Sequence, residues 1–440
     1  MTYKQVFAII IPIFVDTAFI VIMSILNTAM ISSSGMAAIS AVSTVDSLNM
    51  FVISIFIAIA TGGTVIVAQF KGSGNQEMVS RSAAQAITAV TAFAVVISGL
   101  VVIFHTSILQ GLFGSAEADV LENASIYLIA SCISFPFMGL HQAAMGVLRG
   151  VSDTKASLLL SLILNITMLM LNFILIKGFN LGVIGLCVSL IAARLVGAAA
   201  ALVYLIRYNQ TLQFKIKNAL RFNLAILKKI MFVGLPFAAE QLFFNGGKLL
   251  TQTFIVQLGT VAITVNAISN SMSMLLQIGG STLSIAIVTI VGQSIGRRDI
   301  QDARKFVKSI LGLSVVNYLL LPAIILPFFP LFMKMYGAPP EIVPSIFTLV
   351  MILTIAQPVL WTFSFILPSA LRAAGDSKYT SIASLLSMWL FRVVLGYILG
   401  ITLGFGIVGI WLAMAGEWAV RSVVFYWRFK GDKWYKHKLV

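Results

Sequence analysis

The sequence predicts an all-α polytopic membrane protein in which twelve transmembrane helices form two pseudo-symmetric six-helix bundles. Three observations lead to this fold class. The 440-residue chain is 59% apolar and only 10% charged, whereas soluble domains carry about 25% charged residues. Apolar stretches long enough to cross a bilayer recur along the chain, and the second half repeats the motifs of the first.

The apolar stretches define the individual helices, because about 20 consecutive apolar residues cross a bilayer core. Backbone groups find no water there, so each stretch has to satisfy its own hydrogen bonds as a helix. The short alternating segments of a β-barrel are absent, and no cleavable leader is expected before the first span. The expected spans are approximately residues 6–31, 43–69, 83–108, 121–146, 156–176, 182–206, 229–257, 262–292, 306–332, 342–369, 379–400 and 404–427.

The net charge of +15 is distributed unevenly across the membrane. Of the 29 Lys and Arg residues, 23 fall in the N-terminus, the even-to-odd connections or the C-terminal tail. Cytoplasmic loops carry such an excess, so we expect a multi-pass protein of the cell membrane with both termini in the cytoplasm. Anionic lipid attracts a basic face. We therefore expect a monomer that contacts the bilayer and small molecules but no nucleic acid.

An internal repeat has an offset of about 224 residues, which aligns Pro12 with Pro236 and Asp16 with Glu240. Each half holds six expected helices, so both halves start on the same side and form parallel repeats, as in transporters built from two such bundles. The expected domains are a first lobe at residues 1–206 and a second lobe with a basic tail at 229–440. A basic cytoplasmic linker joins them at 207–228.

The repeat includes one charged motif per half, GVLRGVSDTKAS at residues 146–157 and ALRAAGDSKYTS at 370–381. Each places an Asp four residues after an Arg. Such a pair can tie two helix ends together, and the Asp can also cap the next helix. We interpret the four residues as a cytoplasmic clasp with a structural role; gating is the alternative, because a clasp has to break or shift if access alternates. They are Arg149, Asp153, Arg372 and Asp376.

Several motifs, in this order, resemble the multidrug and toxic compound extrusion family: PIFVD in the first helix, VAQFKG, LRGVSDTK, LGVIGL, and GIWLAMAGEWAVRSVVFYWRFKGDKW near the C-terminus. The resemblance covers the whole chain. It implies a secondary active exporter that exchanges Na⁺ or H⁺ for amphipathic, often cationic, drugs or toxic metabolites by alternating access of two lobes. It implies no enzymatic activity, no catalytic residues and no cofactor beyond the coupling ion.

Other functions stay open at this point. A flippase for a lipid or lipid-linked oligosaccharide, from the same superfamily, usually lines its cavity with several cationic residues, and this chain offers mainly Arg194, Lys248 and Arg392. A membrane enzyme would need a concentrated catalytic set, which the motifs do not provide. A channel is less consistent with the bilobed repeat and its buried carboxylates.

Asp16 and Glu240 are the expected cation-coupling residues. An ionisable group at the bilayer centre costs at least about 2.5 kcal/mol, so its presence indicates function. Each follows a proline by four positions, and carbonyls freed by the proline would join the carboxylate as oxygen ligands for Na⁺. Burial also favours the protonated acid, so a proton could serve instead. The alternative is a hydrogen bond to a neighbouring helix.

The chain departs from the family at two amides. Family members commonly carry Asp where this chain has Asn27, and some carry Asp where it has Asn172. An amide can bind Na⁺ or a substrate but cannot release a proton, which makes Asp16 the stronger coupling candidate. Five residues are candidate polar or substrate-binding groups of the cavity: Asn27, Asp46, Asn172, Lys248 and Trp361.

The remaining predictions concern the second half. Trp361 would stack on a planar cation or simply pack, and Lys248 would repel or replace a cation in this lobe. Glu417 and Arg421 share a helix face at four-residue spacing. With Arg392 they are expected to form a structural ion pair between helices 11 and 12.

Overall fold

The computed structural model describes residues 1–31, 35–114 and 117–440, and within them the chain is helical with no β-strand. The fold class predicted from the sequence is confirmed. The helices of the first half are α1 (Tyr3–Ile31), α2 (Met36–Gly72), α3 (Gln76–Phe113), α4 (Ala118–Gly150), α5 (Thr154–Asn172) and α6 (Gly182–Val203).

The rest of the chain contains a short helix, α7 (Ile216–Leu220), followed by the helices of the second half. These are α8 (Leu224–Gln257), α9 (Thr260–Leu276), α10 (Ile278–Gly296), α11 (Ile300–Ile325), α12 (Phe329–Met335), α13 (Val343–Ala356), α14 (Leu367–Ala373), α15 (Ser377–Ser387) and α16 (Gly406–Lys430). Two π-helical segments matter below: Gln357–Ile366 joins α13 to α14, and Met388–Leu395 follows α15.

The chain divides into two compact units, residues 2–238 and 239–439. In the first unit α4 packs against α2, α3 and α6, and α1 packs against α5. In the second unit α10 packs against α11 and α14, and the π-helical segment Gln357–Ile366 packs against α16. The predicted domain boundaries at residues 206 and 229 stay a prediction.

The repeat is visible in the backbone as well as in the sequence. Gly35 precedes α2 with φ 100° and ψ 165°, and Gly259 precedes α9 with φ 98° and ψ 175°. Only glycine adopts this region without strain. Asn75 caps α3 and Asp299 caps α11, each accepting a hydrogen bond from a backbone N–H three residues later. The two halves therefore have the same glycine conformation and the same type of helix cap at equivalent positions.

Eleven segments within the described residues are long and apolar enough to cross a membrane. The predicted seventh span falls in α8, which has 34 residues and a length of about 50 Å. It is long enough to cross but is more polar than the others, since it carries Glu240 and Lys248. The more polar composition of α8 accompanies its role in lining a cavity described below.

The predicted eighth span, residues 262–292, is not one continuous helix. α9 ends at Leu276 and α10 begins at Ile278, with a break at Gln277. Gly279 and Gly280 follow the break, and a Cβ at Gly280 would overlap the hydroxyl of Tyr318. The chain needs small residues here so that α10 can approach α11 closely.

The predicted linker at 207–228 lies along α3 instead of forming a loose connection. Side chains of α3 donate hydrogen bonds to its backbone carbonyls: Ser80 to Gln213 at 2.7 Å and Thr88 to Ala219 at 2.8 Å. Gln85 donates to the carbonyl of Arg221 at 2.6 Å. An irregular segment cannot satisfy its own backbone groups, so these bonds fix its path within the first unit.

Candidate functional site

Asp16 lies in an ion pair inside the first unit. Its side chain sits in α1, four residues after Pro12, and the residue is 2% exposed. Its Oδ2 accepts a hydrogen bond from Nη2 of Arg149 at 2.9 Å. Nε of Arg149 donates to Oγ of Ser157 at 3.1 Å. The pair thus joins α1 to the end of α4 and the start of α5.

Glu240 lies in the equivalent ion pair of the second unit. It follows Pro236 by four positions in α8 and is 5% exposed. Its Oε2 accepts hydrogen bonds from Nη2 of Arg372 at 2.9 Å and from Oγ of Ser381 at 3.0 Å. Each unit therefore buries a carboxylate against the arginine of its charged motif, with a serine at the equivalent position beside it.

These pairs correct the predicted clasp, in which Arg149 would pair with Asp153 and Arg372 with Asp376. Arg149 and Arg372 lie in the last turns of α4 and α14. Side chains on a helix point toward its N-terminus, so each guanidinium reaches back into its unit and away from the following turn. The buried carboxylate, not the Asp of the motif, is the partner of each arginine.

The two motif aspartates have other partners. Asp153 caps α5 through the N–H of Ala156 and accepts hydrogen bonds from the hydroxyl of Tyr204 at 2.9 Å and from Asn209 at 2.7 Å. Asp376 accepts from Nε of Arg428 at 2.6 Å and lies 3.1 Å from a ring nitrogen of His437. Capping occurs at α5, whereas the side chain of Asp376 makes no cap bond to α15.

Ion pairing limits what Asp16 and Glu240 can do. A proton or Na⁺ ion on either carboxylate would neutralise the charge that its arginine pairs with, and the cost is highest at Glu240, whose partner Arg372 is itself buried. Coupling at these residues would therefore weaken the ion pair. Their coupling role stays a prediction.

The strength of the second pair can be tested with Arg372→Met, which leaves Glu240 buried without its counter-charge. We expect the free energy of unfolding to fall by about 3 kcal/mol, measured by thermal and denaturant unfolding in detergent. The double variant Arg372→Met/Glu240→Gln should regain part of this loss, and Arg207→Met, at an exposed position, should change little. A double variant no more stable than the single one would contradict the pairing.

A second buried ion cluster lies between the π-helical segment Met388–Leu395 and α16. Nε of Arg392 lies 2.7 Å from Oε2 of Glu417, and Nη1 of Arg421 lies 3.2 Å from Oε1. Glu417 has no exposed surface. Nη2 of Arg421 also donates to the carbonyl of Ser364 at 2.9 Å. One carboxylate thus bridges the two arginines of the predicted structural ion pair.

Asn27 and Asn172, the two amides at which this chain departs from the family that it resembles, contact each other. Nδ2 of Asn172 donates to Oδ1 of Asn27 at 3.0 Å, which joins α5 to α1. Asn172 is fully buried. Because neither amide can exchange a proton, this pair contributes a fixed interhelical contact where a carboxylate would add a titratable site.

Asp46, in α2, is a further carboxylate of the predicted spans. Its Oδ1 accepts a hydrogen bond from the hydroxyl of Tyr127 at 2.9 Å and lies 3.4 Å from Nδ2 of Asn49. The residue is exposed. Arg194 is buried and donates to Oγ of Ser134 at 2.7 Å, and its charge acts on Asp46 from beyond contact distance.

Four of the carboxylates in the predicted spans differ in one respect. Asp16, Glu240 and Glu417 each lie in an ion pair with arginine. Within the described residues, Asp46 has hydrogen bonds from neutral groups only and no ion pair. Sequence reasoning named Asp46 as a polar candidate but missed Tyr127, whose position 81 residues away in the chain gives no signal of contact.

Lys248 and Trp361 line one cavity of about 480 Å³ within the second unit. Nζ of Lys248 lies 4.9 Å from the ring centroid of Phe244. Trp361 stacks on Phe365 with a centroid distance of 4.7 Å. Trp361 therefore both packs against another aromatic ring and contributes to the cavity wall.

Comparisons with known proteins match this architecture. The uncharacterized transporter YisQ of Bacillus subtilis is 28% identical over 442 residues, which covers 98% of this chain and 94% of that protein. The probable multidrug resistance protein NorM of Thermotoga maritima is 23% identical and covers 99% of this chain and 94% of its own. A solved structure described as the outward-facing conformation of a multidrug resistance MATE family transporter of the MOP superfamily has a TM-score of 0.90 at 17% identity, over 97% of this chain and 95% of that one.

The family assignment rests on a match in each half. The MatE family model matches residues 12–174 and again residues 236–398. Both bounds of the second match lie 224 residues after those of the first, which is the offset found in the sequence. The matched segments begin at the two prolines that precede the buried carboxylates and together cover more than half of the chain, so this protein belongs to the MatE family.

Proposed function

We propose that this protein is a secondary active efflux transporter that exports amphipathic drugs or toxic metabolites, cationic ones among them, in exchange for Na⁺ or H⁺. Membership in the MatE family supports export as the activity. So do full-length relatives named as multidrug resistance proteins, NorM of Thermotoga maritima and MdtK of Photorhabdus laumondii.

Alternating access of the two lobes is the proposed mechanism. Two units with the same buried ion pair are suited to move as separate bodies, as in transporters built from parallel repeats. We further propose a monomer in the cell membrane with both termini in the cytoplasm. The concentration of Lys and Arg in the termini and the even-to-odd connections supports this orientation.

We propose Asp46 as the residue at which the coupling ion acts. The single observation that supports this assignment is that Asp46, unlike Asp16, Glu240 and Glu417, has no ion pair with an arginine among the described residues. It is also exposed. A Na⁺ ion or a proton can neutralise such a carboxylate without breaking an ion pair. The same event at Asp16 or Glu240 would neutralise the charge that pairs with Arg149 or Arg372.

Neutralisation of Asp46 would change the hydrogen bonds between α2 and α4. Tyr127 lies on α4 and donates to the Asp46 carboxylate, while Asn49 contacts Asp46 and also donates to Ser131 on α4 at 3.0 Å. Hydrogen bonds to an ionised acceptor are about twice as strong as neutral ones. Ion uptake would therefore weaken the contacts that hold α2 to α4, which supplies a link between the ion and a conformational change.

The proposed function is tested with purified protein in proteoliposomes loaded with ethidium. A Na⁺ gradient and a pH gradient are imposed separately, with protein-free liposomes as the control. We expect one of the two gradients to accelerate dye export at least about tenfold, because the antiporter couples the ion to the substrate. If neither gradient changes the rate, the protein is not a cation-coupled exporter of such molecules.

A further inference from the structure

The cavity of the second unit has an aromatic wall. Phe365 stacks on Trp361 and meets Trp418 edge to face at a centroid distance of 6.0 Å, and Phe244 meets Phe365 edge to face at 6.4 Å. Trp411 completes the wall. A cavity of about 480 Å³ lies in the range that binds drug-sized molecules. Its walls can therefore bind a planar apolar group.

The charges at this cavity are positive. Lys248 and Arg392 both line it, and no carboxylate is among the lining residues that the structure describes. Glu417 pairs with Arg392 and Arg421 at once and has no exposed surface, so it does not reach the cavity. Arg392 and Arg421 thus share one carboxylate, and no ion pair of Lys248 is found among the described residues. The cluster carries a net charge of about +2 when its groups hold their usual charges.

The cationic groups converge on one aromatic ring. Lys248, Arg392 and Arg421 lie 4.9, 5.3 and 5.8 Å from the ring centroid of Phe244. Like charges this close repel each other strongly where water is scarce. An anion bound beside Lys248 and Arg392 would relieve that repulsion, whereas a cationic ligand would add to it.

Hydrogen-bond donors at the cavity wall are also consistent with an anion. Trp418 is 3% exposed, and its indole N–H has no acceptor among the described residues. The polar edge of the cavity is held in place by Asn266, which accepts from the indole N–H of Trp411 at 3.0 Å and donates to Gln252 at 3.3 Å. Trp418, Asn266 and Gln252 all line this cavity, and no carboxylate is among its described lining residues.

From these contacts we infer that the cavity of the second unit binds an aromatic organic anion, with its carboxylate, sulfonate or phosphate between Lys248 and Arg392 and its ring against Trp361 and Phe365. Charge-assisted hydrogen bonds to Lys and Arg supply affinity for the anionic group, and the aromatic wall selects the ring. The site's role as a substrate site rests on the proposed transport function; its binding of an anion does not.

The inference is tested by binding without any ion gradient, so its failure is separable from failure of the proposed function. Purified protein in a neutral detergent is titrated calorimetrically with 2-naphthoate and, as a cation of the same ring, with 2-naphthylmethylammonium. We expect the wild-type protein to bind the anion at least about tenfold more tightly, which corresponds to about 1.4 kcal/mol.

Variants assign the preference to Lys248. Lys248→Gln should weaken 2-naphthoate binding at least about tenfold, Lys248→Arg should keep it within about threefold, and Lys248→Glu should reverse the preference toward the cation. Lys177→Gln, at an exposed position elsewhere, should bind like wild type. Equal or tighter binding of the cation by the wild type, binding of neither probe, or full anion binding by Lys248→Gln would overturn the inference.

The anionic group can come from a soluble molecule or from a lipid headgroup. The titration is repeated in nanodiscs of phosphatidylcholine alone and of phosphatidylcholine with phosphatidylglycerol. Loss of 2-naphthoate binding only in the anionic nanodiscs identifies a lipid headgroup as an occupant of the site. Equal binding in both identifies a soluble anion. Either result supports an anion site.

Discussion

Glu417→Gln is expected to lower the free energy of unfolding by about 5 kcal/mol, the upper end of what removal of one partner from a buried ion pair costs. The effect is large because one carboxylate serves two arginines, Arg392 and Arg421, which are 6% and 2% exposed. Without Glu417 both guanidinium groups stay buried with no counter-charge in contact. Thermal and denaturant unfolding of the purified protein in detergent measures the change.

Two further variants check that the loss arises from unpaired charge. Glu341→Gln removes a carboxylate at an exposed position and should leave stability within about 0.5 kcal/mol of wild type. Glu417→Gln/Arg392→Met should be more stable than Glu417→Gln, because one of the stranded charges is gone. A Glu417→Gln protein as stable as wild type would show that the cluster contributes nothing to the fold.

Asp46→Asn is expected to reduce gradient-driven export of ethidium at least about tenfold. The substitution keeps the size of the side chain and its ability to accept from Tyr127, but an amide cannot take up and release a proton and loses the charge that attracts Na⁺. No buried ion pair is broken, so the protein should fold and insert normally. Dye export is measured in proteoliposomes under the gradient that drives the wild type.

A control substitution at another carboxylate shows whether the loss of export is specific to Asp46 or follows from the loss of any negative charge. Asp119→Asn, at an exposed position near the start of α4, should export the dye at the wild-type rate. The Asp46→Asn protein should still bind ethidium, because Asp46 is assigned to the coupling ion and not to the substrate. Gradient-driven export by Asp46→Asn at the wild-type rate would remove Asp46 from the mechanism.

Most of the fold could be predicted from the sequence, because apolar length and self-similarity are properties of contiguous residues. The repeat offset of about 224 recurs in the two family matches and in the matching backbone angles of Gly35 and Gly259. The break at Gln277 was missed, since the residues around it are as apolar as a continuous helix requires. It depends on close packing of Gly280 against Tyr318, which lies on another helix.

The site was predicted less completely, because its contacts join residues far apart in the chain. Short spacing favoured Asp153 as the partner of Arg149, but the actual partner, Asp16, lies 133 residues away. The side chain of Arg149 points back along α4, and spacing in the sequence alone does not show which buried group it contacts there. The same holds for Arg372 and Glu240, 132 residues apart.

Asp46 illustrates a second limit of the sequence. A single carboxylate in a span indicates function, but several such carboxylates give no order of importance. The carboxylates can be ranked as coupling candidates only when the arginine partners of Asp16, Glu240 and Glu417 are known. Which of these charges are already neutralised by an arginine could be read only from the structure.

Substrate-driven ion flux in proteoliposomes tests the central claim, that coupling takes place at Asp46, most directly. An outward ethidium gradient is imposed without an ion gradient, and the entry of ²²Na⁺ or the acidification of the lumen is followed. We predict flux in the wild type and in a protein whose second ion pair is neutralised, Arg372→Met/Glu240→Gln, and none in Asp46→Asn. Ion flux at the wild-type rate in Asp46→Asn, together with loss of flux in Arg372→Met/Glu240→Gln, would contradict the account. It would indicate that the coupling ion acts at the paired carboxylates.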